Sequence, residues 1–273
     1  MGELISANNL RGLVAELIAT FTFVFVGVGA VGAALALVTP IDGAGLIVIA
    51  LGHGLGIFLG IVVIGRITGA HLNPAITIAM IVAGNTGLIR GFSYIVGQLA
   101  GAVLAILTLD QYVWGLDGLG VQSLGVGVAT VDGFVLEVIL TFFLVFTVFA
   151  TTVDKRGSAA WAPLAIGMVI FVDHLIAVQV TGASMNPARS FGPALIHGAW
   201  DRIPRPNTIS PMPTKRRGAP CLPLAISVIS ARKFCGCEVG SGAGAFFGDS
   251  AISRSFSRSS TNCLPTSVPK WVN

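Results

Sequence analysis

Five long apolar segments are the feature that most constrains how this chain can fold. They occupy residues 12–38, 44–65, 91–109, 131–153 and 161–181. Each is close to the ~20 apolar residues that a helix needs to cross the ~30 Å hydrocarbon core of a bilayer. Only 10% of the residues are charged, whereas soluble domains carry about 25%. Because backbone polar groups inside a bilayer must bond within their own segment, the pattern predicts an all-α, multi-pass membrane protein.

The positions of lysine and arginine predict the orientation of these spans. Cytoplasmic loops carry an excess of basic residues. Arg11 precedes the first span, Arg66 and Arg90 flank the second link, and Lys155 and Arg156 form the fourth link. All five fall on one side if the N-terminus is cytoplasmic. The first apolar run is too long for a cleavable signal, so we expect an uncleaved span in a plasma membrane or bacterial inner membrane.

The chain contains an internal repeat of the inverted type. Residues 68–75, Thr-Gly-Ala-His-Leu-Asn-Pro-Ala, recur as residues 181–188, Thr-Gly-Ala-Ser-Met-Asn-Pro-Ala. A second set recurs with identical spacing: Glu16, Thr20, Phe21 and Phe25 match Glu137, Thr141, Phe142 and Phe146. The two copies are three spans apart, an odd number, so they point in opposite directions through the membrane. Many channels and transporters build a site at the bilayer midplane from such repeats.

Each repeated motif predicts a short helix that enters the membrane only halfway. Asn is a favoured N-cap and Pro a favoured first helical residue, so the motifs predict helices over 74–83 and 187–197. About ten residues give roughly 15 Å of helix, half of the hydrocarbon core. Two such half-helices entering from opposite faces would meet at its centre. The non-helical backbone before them is tolerable at that depth only where it lines water.

These half-helices predict a water-filled pore. The expected pore motifs are Asn73, Pro74, Ala75, Asn186, Pro187 and Ala188, and the expected ladder of carbonyl acceptors comprises Gly69, Ala70, His71, Leu72, Gly182, Ala183, Ser184 and Met185. A water that accepts from both Asn amides directs its own hydrogens outward along the pore. This orientation interrupts the chain of hydrogen-bonded waters that proton hopping needs. The positive ends of two helices converge on the same point and repel cations.

Residues 1–200 resemble the aquaporin (major intrinsic protein) family. The resemblance rests on both Asn-Pro-Ala motifs and on residues 186–194, Asn-Pro-Ala-Arg-Ser-Phe-Gly-Pro-Ala. It implies an aquaporin-like inverted-repeat bundle of six tilted helices plus two re-entrant half-helices, assembled as a homotetramer with one pore per subunit. It also implies an outer selectivity filter of His53, His174, Ala183 and Arg189. His53 stands where many water-specific members have Phe, and there the chain is similar to plant vacuolar-type members.

Three buried polar residues have an expected structural role. The resemblance implies that Glu16 and Glu137 accept hydrogen bonds from loop backbone near each motif, and Gln98 is expected to bond loop backbone too. Buried acids could instead serve catalysis, but no nucleophile or metal cluster accompanies them. Cys235 and Cys237 lack the spacing of a zinc site. We therefore expect no enzyme activity, no cofactor and no metal.

The solute is predicted to be water. The same resemblance implies that Ser190 after Arg189, Ala194 and His174 favour water over glycerol. A channel for glycerol, ammonia, hydrogen peroxide or another small neutral solute is the alternative. A non-conducting, truncated membrane protein is another.

Residues 201–273 differ in composition from the rest. They hold 10 of the 16 Lys and Arg residues and all four cysteines, and their longest charge-free stretch, 218–231, carries Pro220 and Pro223. That stretch is shorter than the ~20 residues of a span. We expect the sixth span to be absent or aberrant and this basic Pro/Ser/Gly-rich tail to be disordered, with a shifted reading frame as one hypothesis. A role of this tail as a module that binds anionic lipid or nucleic acid is disfavoured, because it has no periodic basic stripe. For the whole chain, the expected partners are water, the lipid bilayer and further copies of the chain.

Overall fold

The computed structural model of the chain describes residues 6–37, 41–113 and 117–200. The tail predicted to be disordered, and the end of the chain where a sixth span would fall, lie outside the described residues. Within them the chain is helical, with no strand. The helices are α1 (Ala7–Leu37), α2 (Gly43–Thr68), α3 (Pro74–Val82), α4 (Leu88–Thr108), α5 (Thr130–Val148), α6 (Ala162–Ala177) and α7 (Pro187–Ile196).

Short irregular helices extend three of these elements. A π-helical turn, Leu109–Val113, follows α4, a second one, Phe149–Val153, follows α5, and a 3₁₀ turn, Ala159–Trp161, precedes α6. With these extensions, five helical segments of the described chain are long and apolar enough to cross a membrane. The prediction of an all-α membrane protein with five apolar spans is confirmed.

The ends of several spans differ from the prediction, among them those of α1 and α6. α1 begins at Ala7, five residues early, so that Arg11 lies within the helix on an exposed position. α6 ends at Ala177 rather than at 181, although the sequence stays apolar. The N–H groups of Thr181 and Gly182 both bond the Ala177 carbonyl, at 2.9 and 3.2 Å. This turn redirects the chain into the second repeated motif.

Small residues let the helices approach closely. On α4, a Cβ atom added at Gly97 would overlap the carbonyl oxygen of Leu13, and one at Gly101 would overlap that of Leu17. α2 and α6, which are equivalent in the repeat, meet in the same way: a Cβ at Gly54 would lie 2.7 Å from a carbonyl oxygen of α6. Close backbone contact through small residues is how helices associate without a hydrophobic driving force.

Candidate pore

The first repeated motif begins a half-helix, as predicted. Asn73 is the N-cap of α3, with Pro74 at its first position, and the Asn73 Oδ1 accepts from the Ala75 N–H at 2.8 Å. The Nδ2 of the same side chain donates to the carbonyl oxygen of Met185 at 2.8 Å. One amide group therefore caps its own half-helix and bonds the loop that precedes the other.

The second motif mirrors the first. The Oδ1 of Asn186 accepts from the Ala188 N–H at 2.9 Å and from the Arg189 N–H at 3.3 Å. Its Nδ2 donates to the carbonyl oxygen of Leu72 at 2.9 Å. The two asparagines thus exchange hydrogen bonds with each other's loops, and the N-termini of α3 and α7 meet at this junction.

The two loops that lead into the half-helices have the same unusual backbone. Among the described residues, four non-glycine residues have a positive φ, near 52°: Ala70, Leu72, Ala183 and Met185. Gly69 and Gly182 are also positive, at 86° and 83°. Non-glycine residues rarely adopt this region, and such conformations persist only where the surroundings hold them.

A buried carboxylate holds the first loop. Glu16 of α1 is fully buried. Its Oε1 accepts from the Thr68 Oγ1 at 2.6 Å and from the His71 N–H at 3.0 Å. Its Oε2 accepts from the Leu72 N–H at 2.7 Å and from the Gln98 Nε2 at 2.8 Å. Three of these bonds hold the repeated motif on α1, where Glu16 is expected to act, and the fourth comes from α4.

A second carboxylate holds the second loop in the same way. Glu137 of α5 accepts from the Thr181 Oγ1 at 2.6 Å and the Ser184 N–H at 3.0 Å through Oε1. Its Oε2 accepts from the Met185 N–H at 2.8 Å. Among the described residues, Glu137 has no counterpart of the fourth donor that Gln98 supplies to Glu16.

Gln98 does not reach the loop backbone, contrary to expectation. Its Nε2 donates to the Glu16 Oε2 and to the Thr77 Oγ1, the latter at 3.0 Å. The His71 Nδ1 also lies 3.0 Å from the Thr77 Oγ1. Thr77, which the sequence analysis missed, therefore links the loop to α4. Thr77 is the polar residue one turn after Asn73 in an otherwise apolar half-helix, and this position in the sequence could have identified it as a hydrogen-bonding residue.

Two histidines of the predicted filter are neighbours. The rings of His53 and His174 stack with their centroids 4.1 Å apart and their planes 26° apart. The His53 Nδ1 lies 2.9 Å from the Ile49 carbonyl oxygen, and the His174 Nδ1 lies 2.8 Å from that of Ile170. Because a carbonyl only accepts, each Nδ1 carries a proton and each Nε2 of a neutral ring is an acceptor. Both Nε2 atoms are buried and have no partner among the described residues.

Arg189 is buried in the third position of α7. Its Nη1 donates to the carbonyl oxygen of Gly120 at 2.6 Å, while its Nε has no partner in the described part of the chain. Ala183, the fourth predicted filter residue, is fully buried and donates its N–H to the Thr181 Oγ1 at 3.1 Å.

The segment between α4 and α5 supplies residues that the sequence analysis did not single out. Gly120, with φ at 78°, presents the carbonyl that Arg189 bonds. Gln122 accepts from the Ser190 Oγ through its Oε1. The Ser190 Oγ is also 2.5 Å from the Ser184 Oγ. These contacts hold the start of α7 against the segment between α4 and α5.

A narrow cavity lies against the first loop. It has a volume of about 30 Å³ and is lined by residues 69–72 and by apolar side chains that include Ile57, Ile76, Leu144 and Ile166. A water molecule needs roughly 10–15 Å³ of such space, so the cavity is large enough for water. Its polar surface comes from the strained loop and its apolar surface from α2, α3, α5 and α6.

Comparisons with a family model and with individual known proteins point to one family. The family model described as "Major intrinsic protein" matches residues 3–204. "Aquaporin TIP2-3" of Arabidopsis thaliana is 42% identical over 212 residues, which cover 74% of this chain and 82% of that protein. "Probable aquaporin TIP-type RB7-5A" of Nicotiana tabacum is 44% identical over 211 residues, with the same coverage of 74% and 82%.

A solved structure shares the fold. The X-ray structure of the aquaglyceroporin from Plasmodium falciparum is 25% identical, with a TM-score of 0.60 over 71% of this chain and 84% of that one. An inverted repeat of apolar helices, with two capped half-helices meeting inside it, defines a channel-type membrane protein of the aquaporin fold. The chain belongs to the major intrinsic protein family, as the resemblance in residues 1–200 implies.

Proposed function

We propose that this chain is a passive channel that conducts water and excludes protons and ions. The observation that carries the proposal is the exchange of hydrogen bonds between Asn73 and the loop of Met185, and between Asn186 and the loop of Leu72. It supports a pore whose narrow centre lies between the N-termini of two half-helices. The names of the plant relatives, which are aquaporins, support the same function.

Exclusion of protons follows from the donors at that centre. An asparagine amide has two N–H groups. In Asn73 and in Asn186, one of them bonds the opposite loop, which leaves the second to donate to a passing water. A water that accepts from both side chains has its own hydrogens directed away from the junction on either side. A proton cannot hop through a water held in that orientation, and the positive helix ends oppose the passage of cations.

The carbonyl ladders guide the water file on both sides of the centre. The carbonyls of Leu72 and Met185 each accept from an asparagine amide. We therefore assign the ladders chiefly to the carbonyls of residues 69–71 and 182–184. The cavity beside the first loop, with its apolar opposite wall, supports a single file in which each water has acceptors on one side only.

The filter assignment rests on His53, His174, Ala183 and Arg189. The two imidazole Nε2 atoms accept, and the guanidinium of Arg189 donates, so a water finds both kinds of partner at one level. A permanently charged guanidinium also repels cations. The small side chain of Ala183 leaves room for the file. The buried state of these four residues supports a role inside the bundle rather than at its lipid surface.

The proposal includes an orientation and an assembly. The N-terminus lies in the cytoplasm, which is supported by the five basic residues at helix ends and in one loop that fall on the same side. Residues 1–200 are the channel domain, and four copies assemble with one pore each. The plasma membrane or a bacterial inner membrane remains the predicted location.

The function is tested by reconstitution of the full chain into liposomes. After an osmotic step, stopped-flow light scattering should show faster shrinkage than in empty liposomes, while a pH-sensitive dye trapped inside shows no faster proton entry. Shrinkage at the rate of empty liposomes would refute water conduction. Glycerol or ammonia entry without faster water flow would favour the alternative solutes.

The filter is tested in the same assay by Arg189→Val. We expect water flow to be kept or raised and larger or charged solutes to enter, because the donor and the charge are lost together. Arg156→Ala is the matched control, since its side chain is 90% exposed in a loop. An unchanged solute profile in Arg189→Val would contradict the filter assignment.

A further inference from the structure

Residues 117–122, which we call the filter segment, lie along one face of α7. The Oε1 of Gln122 accepts from the Ser190 Oγ. A Cβ atom added at Gly120 would lie 3.3 Å from the side chain of Pro193, about one turn further along α7. The filter segment therefore runs antiparallel to α7, and its first residue lies near the end of that helix.

A third contact joins the two elements at the end of α7. His197 is the C-cap of α7 and lies seven residues after Ser190, on the same face of the helix. Its Nδ1 is 3.7 Å from the Oδ1 of Asp117, the first residue of the filter segment. The His197 side chain is 5% exposed, whereas that of Asp117 is 81% exposed. Of the described charged groups, only Asp117 comes within ion-pair distance of His197.

The other charged groups at this end of the bundle have different positions or partners. Arg189, two turns earlier on α7, is bonded to the filter segment. Asp110, at the end of α4, which packs against α7, accepts from the side chain of the next residue. The part of α1 beside the filter segment and the whole of α3 carry no charged residue. The charged residues 201 and 202 lie outside the described residues.

We propose that Asp117 and His197 form a proton-dependent ion pair that positions the filter through Arg189; this proposal rests on the proposed function. A protonated imidazole attracts the Asp117 carboxylate, whereas a neutral imidazole does not. Imidazoles change their charge between about pH 5 and pH 8, while the other two contacts of the filter segment with α7 involve uncharged groups. Low pH therefore holds the start of the filter segment on α7, and high pH releases it.

The filter segment transmits this change to Arg189. The N–H of Val121 donates to the carbonyl oxygen of Gly118 at 3.1 Å, so Asp117 and Gly120 lie at the two sides of one short turn. Release of Asp117 thus loosens the Gly120 carbonyl, which the Arg189 guanidinium bonds at 2.6 Å. In the proposed orientation the ion pair faces the non-cytoplasmic side, so it responds to the pH of that compartment.

Hydrogen–deuterium exchange of the full chain in nanodiscs tests the ion pair independently of water flow. The measurement compares protection factors of residues 117–125 at about pH 5.5 and about pH 8, because these factors correct for the intrinsic pH dependence of amide exchange. EDTA is present so that no divalent cation bridges the pair. We expect about two- to fivefold stronger protection at the lower pH, which is the effect of an exposed ion pair.

Variants assign this difference to the pair. Asp117→Asn and His197→Gln should each abolish it, and Asp117→Glu should retain it, since a carboxylate is kept. Asp201→Asn is a control, because residue 201 is the other carboxylate near His197 in the sequence. Equal protection of the parent chain at both pH values would overturn the proposal. So would a pH difference that persists in Asp117→Asn or disappears in Asp201→Asn.

The loop between α5 and α6 supplies a matched control within the same chain. Its exposed ion pair joins Asp154 and Arg156 at 2.7 Å. Hydrogen bonds from Arg156 hold the pKa of the Asp154 carboxyl below its ordinary value, so both groups stay charged at both pH values. Protection of residues 153–158 should therefore not change with pH. An equal change in this loop would show a general effect of pH on the chain and would overturn the proposal.

Glycerol entry into liposomes, with the same pH on both sides, tests the link to the filter. Entry should be faster at about pH 8 than at about pH 5.5 in the parent chain, and equally fast at both in Asp117→Asn. pH-dependent protection without pH-dependent glycerol entry would overturn the positioning role, because the pair would then only brace the segment. pH-dependent protection in a chain that conducts no water would refute the proposed function while supporting the ion pair.

Discussion

Replacement of Glu16 by glutamine removes one acceptor from the centre of the first loop and adds a donor in its place. The amide oxygen of Glu16→Gln can still accept from the two groups that bond Oε1. The new NH₂ group faces the Leu72 N–H and the Gln98 Nε2, both of which donate. At roughly 1.5 kcal/mol for each lost bond to a charged group, Glu16→Gln should lower the free energy of unfolding by about 3 kcal/mol.

The repeat supplies the comparison. In Glu137→Gln the NH₂ group faces one donor, the Met185 N–H, so the expected loss is about 1.5 kcal/mol. Asp132→Asn is the control, because Asp132 is an exposed carboxylate on the same helix; it should leave the unfolding free energy unchanged. The measurement is unfolding of the reconstituted chain by increasing mole fraction of dodecyl sulfate, followed by circular dichroism.

The experiment tests whether Glu16→Gln lowers the free energy of unfolding twice as much as Glu137→Gln does. If Glu137→Gln destabilises as much as Glu16→Gln, the count of hydrogen bonds does not explain the stability of the loops. If both behave like Asp132→Asn, the carboxylates do not hold the loops at all.

Three further predictions concern the filter and one loop. Gly27→Ala should reduce water flow, because the new Cβ would lie 2.6 Å from the His53 ring and push it toward the pore; unchanged osmotic shrinkage of Gly27→Ala liposomes would contradict this. Mercurials should not block water flow at the filter of the parent chain, whereas they should inhibit water flow through the Ala183→Cys variant. If that variant conducts water and mercurials do not inhibit it, residue 183 does not line the pore. Hydrogen bonds donated by Arg156 hold the pKa of the exposed Asp154 carboxyl below its ordinary value, so its charge is lost only at lower pH. Its NMR titration midpoint should rise toward the ordinary ~3.9 in Arg156→Ala, and a midpoint that does not move would exclude the pair.

The elements that composition and repetition mark were predictable from the sequence. Apolar length predicted the spans, and Asn-Pro at residues 73–74 and 186–187 predicted the starts of α3 and α7, because capping and proline geometry are local properties. The repeat of Glu16 as Glu137 predicted two equivalent carboxylates. The carboxylates do bond their loops, but the repeat gave no hint that they differ in their number of donors.

Contacts that depend on the tertiary fold were not predictable. Gly120 lies in a segment without periodicity, and only the path of that segment brings its carbonyl to Arg189. The stacking of His53 on His174 depends on the close crossing of α2 and α6. α6 ends four residues early because the loop beyond it must reach Glu137, which apolar composition alone does not encode.

The exchange of bonds between Asn73 and Asn186 has a consequence for biosynthesis. Asn73 emerges from the ribosome more than a hundred residues before Met185, whose carbonyl it bonds. Until the second loop arrives, the Asn73 amide and the Leu72 carbonyl lack these partners, so the first re-entrant segment cannot settle at the bilayer centre by itself. The two halves must therefore lock together in one late step, and a chain interrupted before Asn186 leaves an unfinished first half for membrane quality control to recognise.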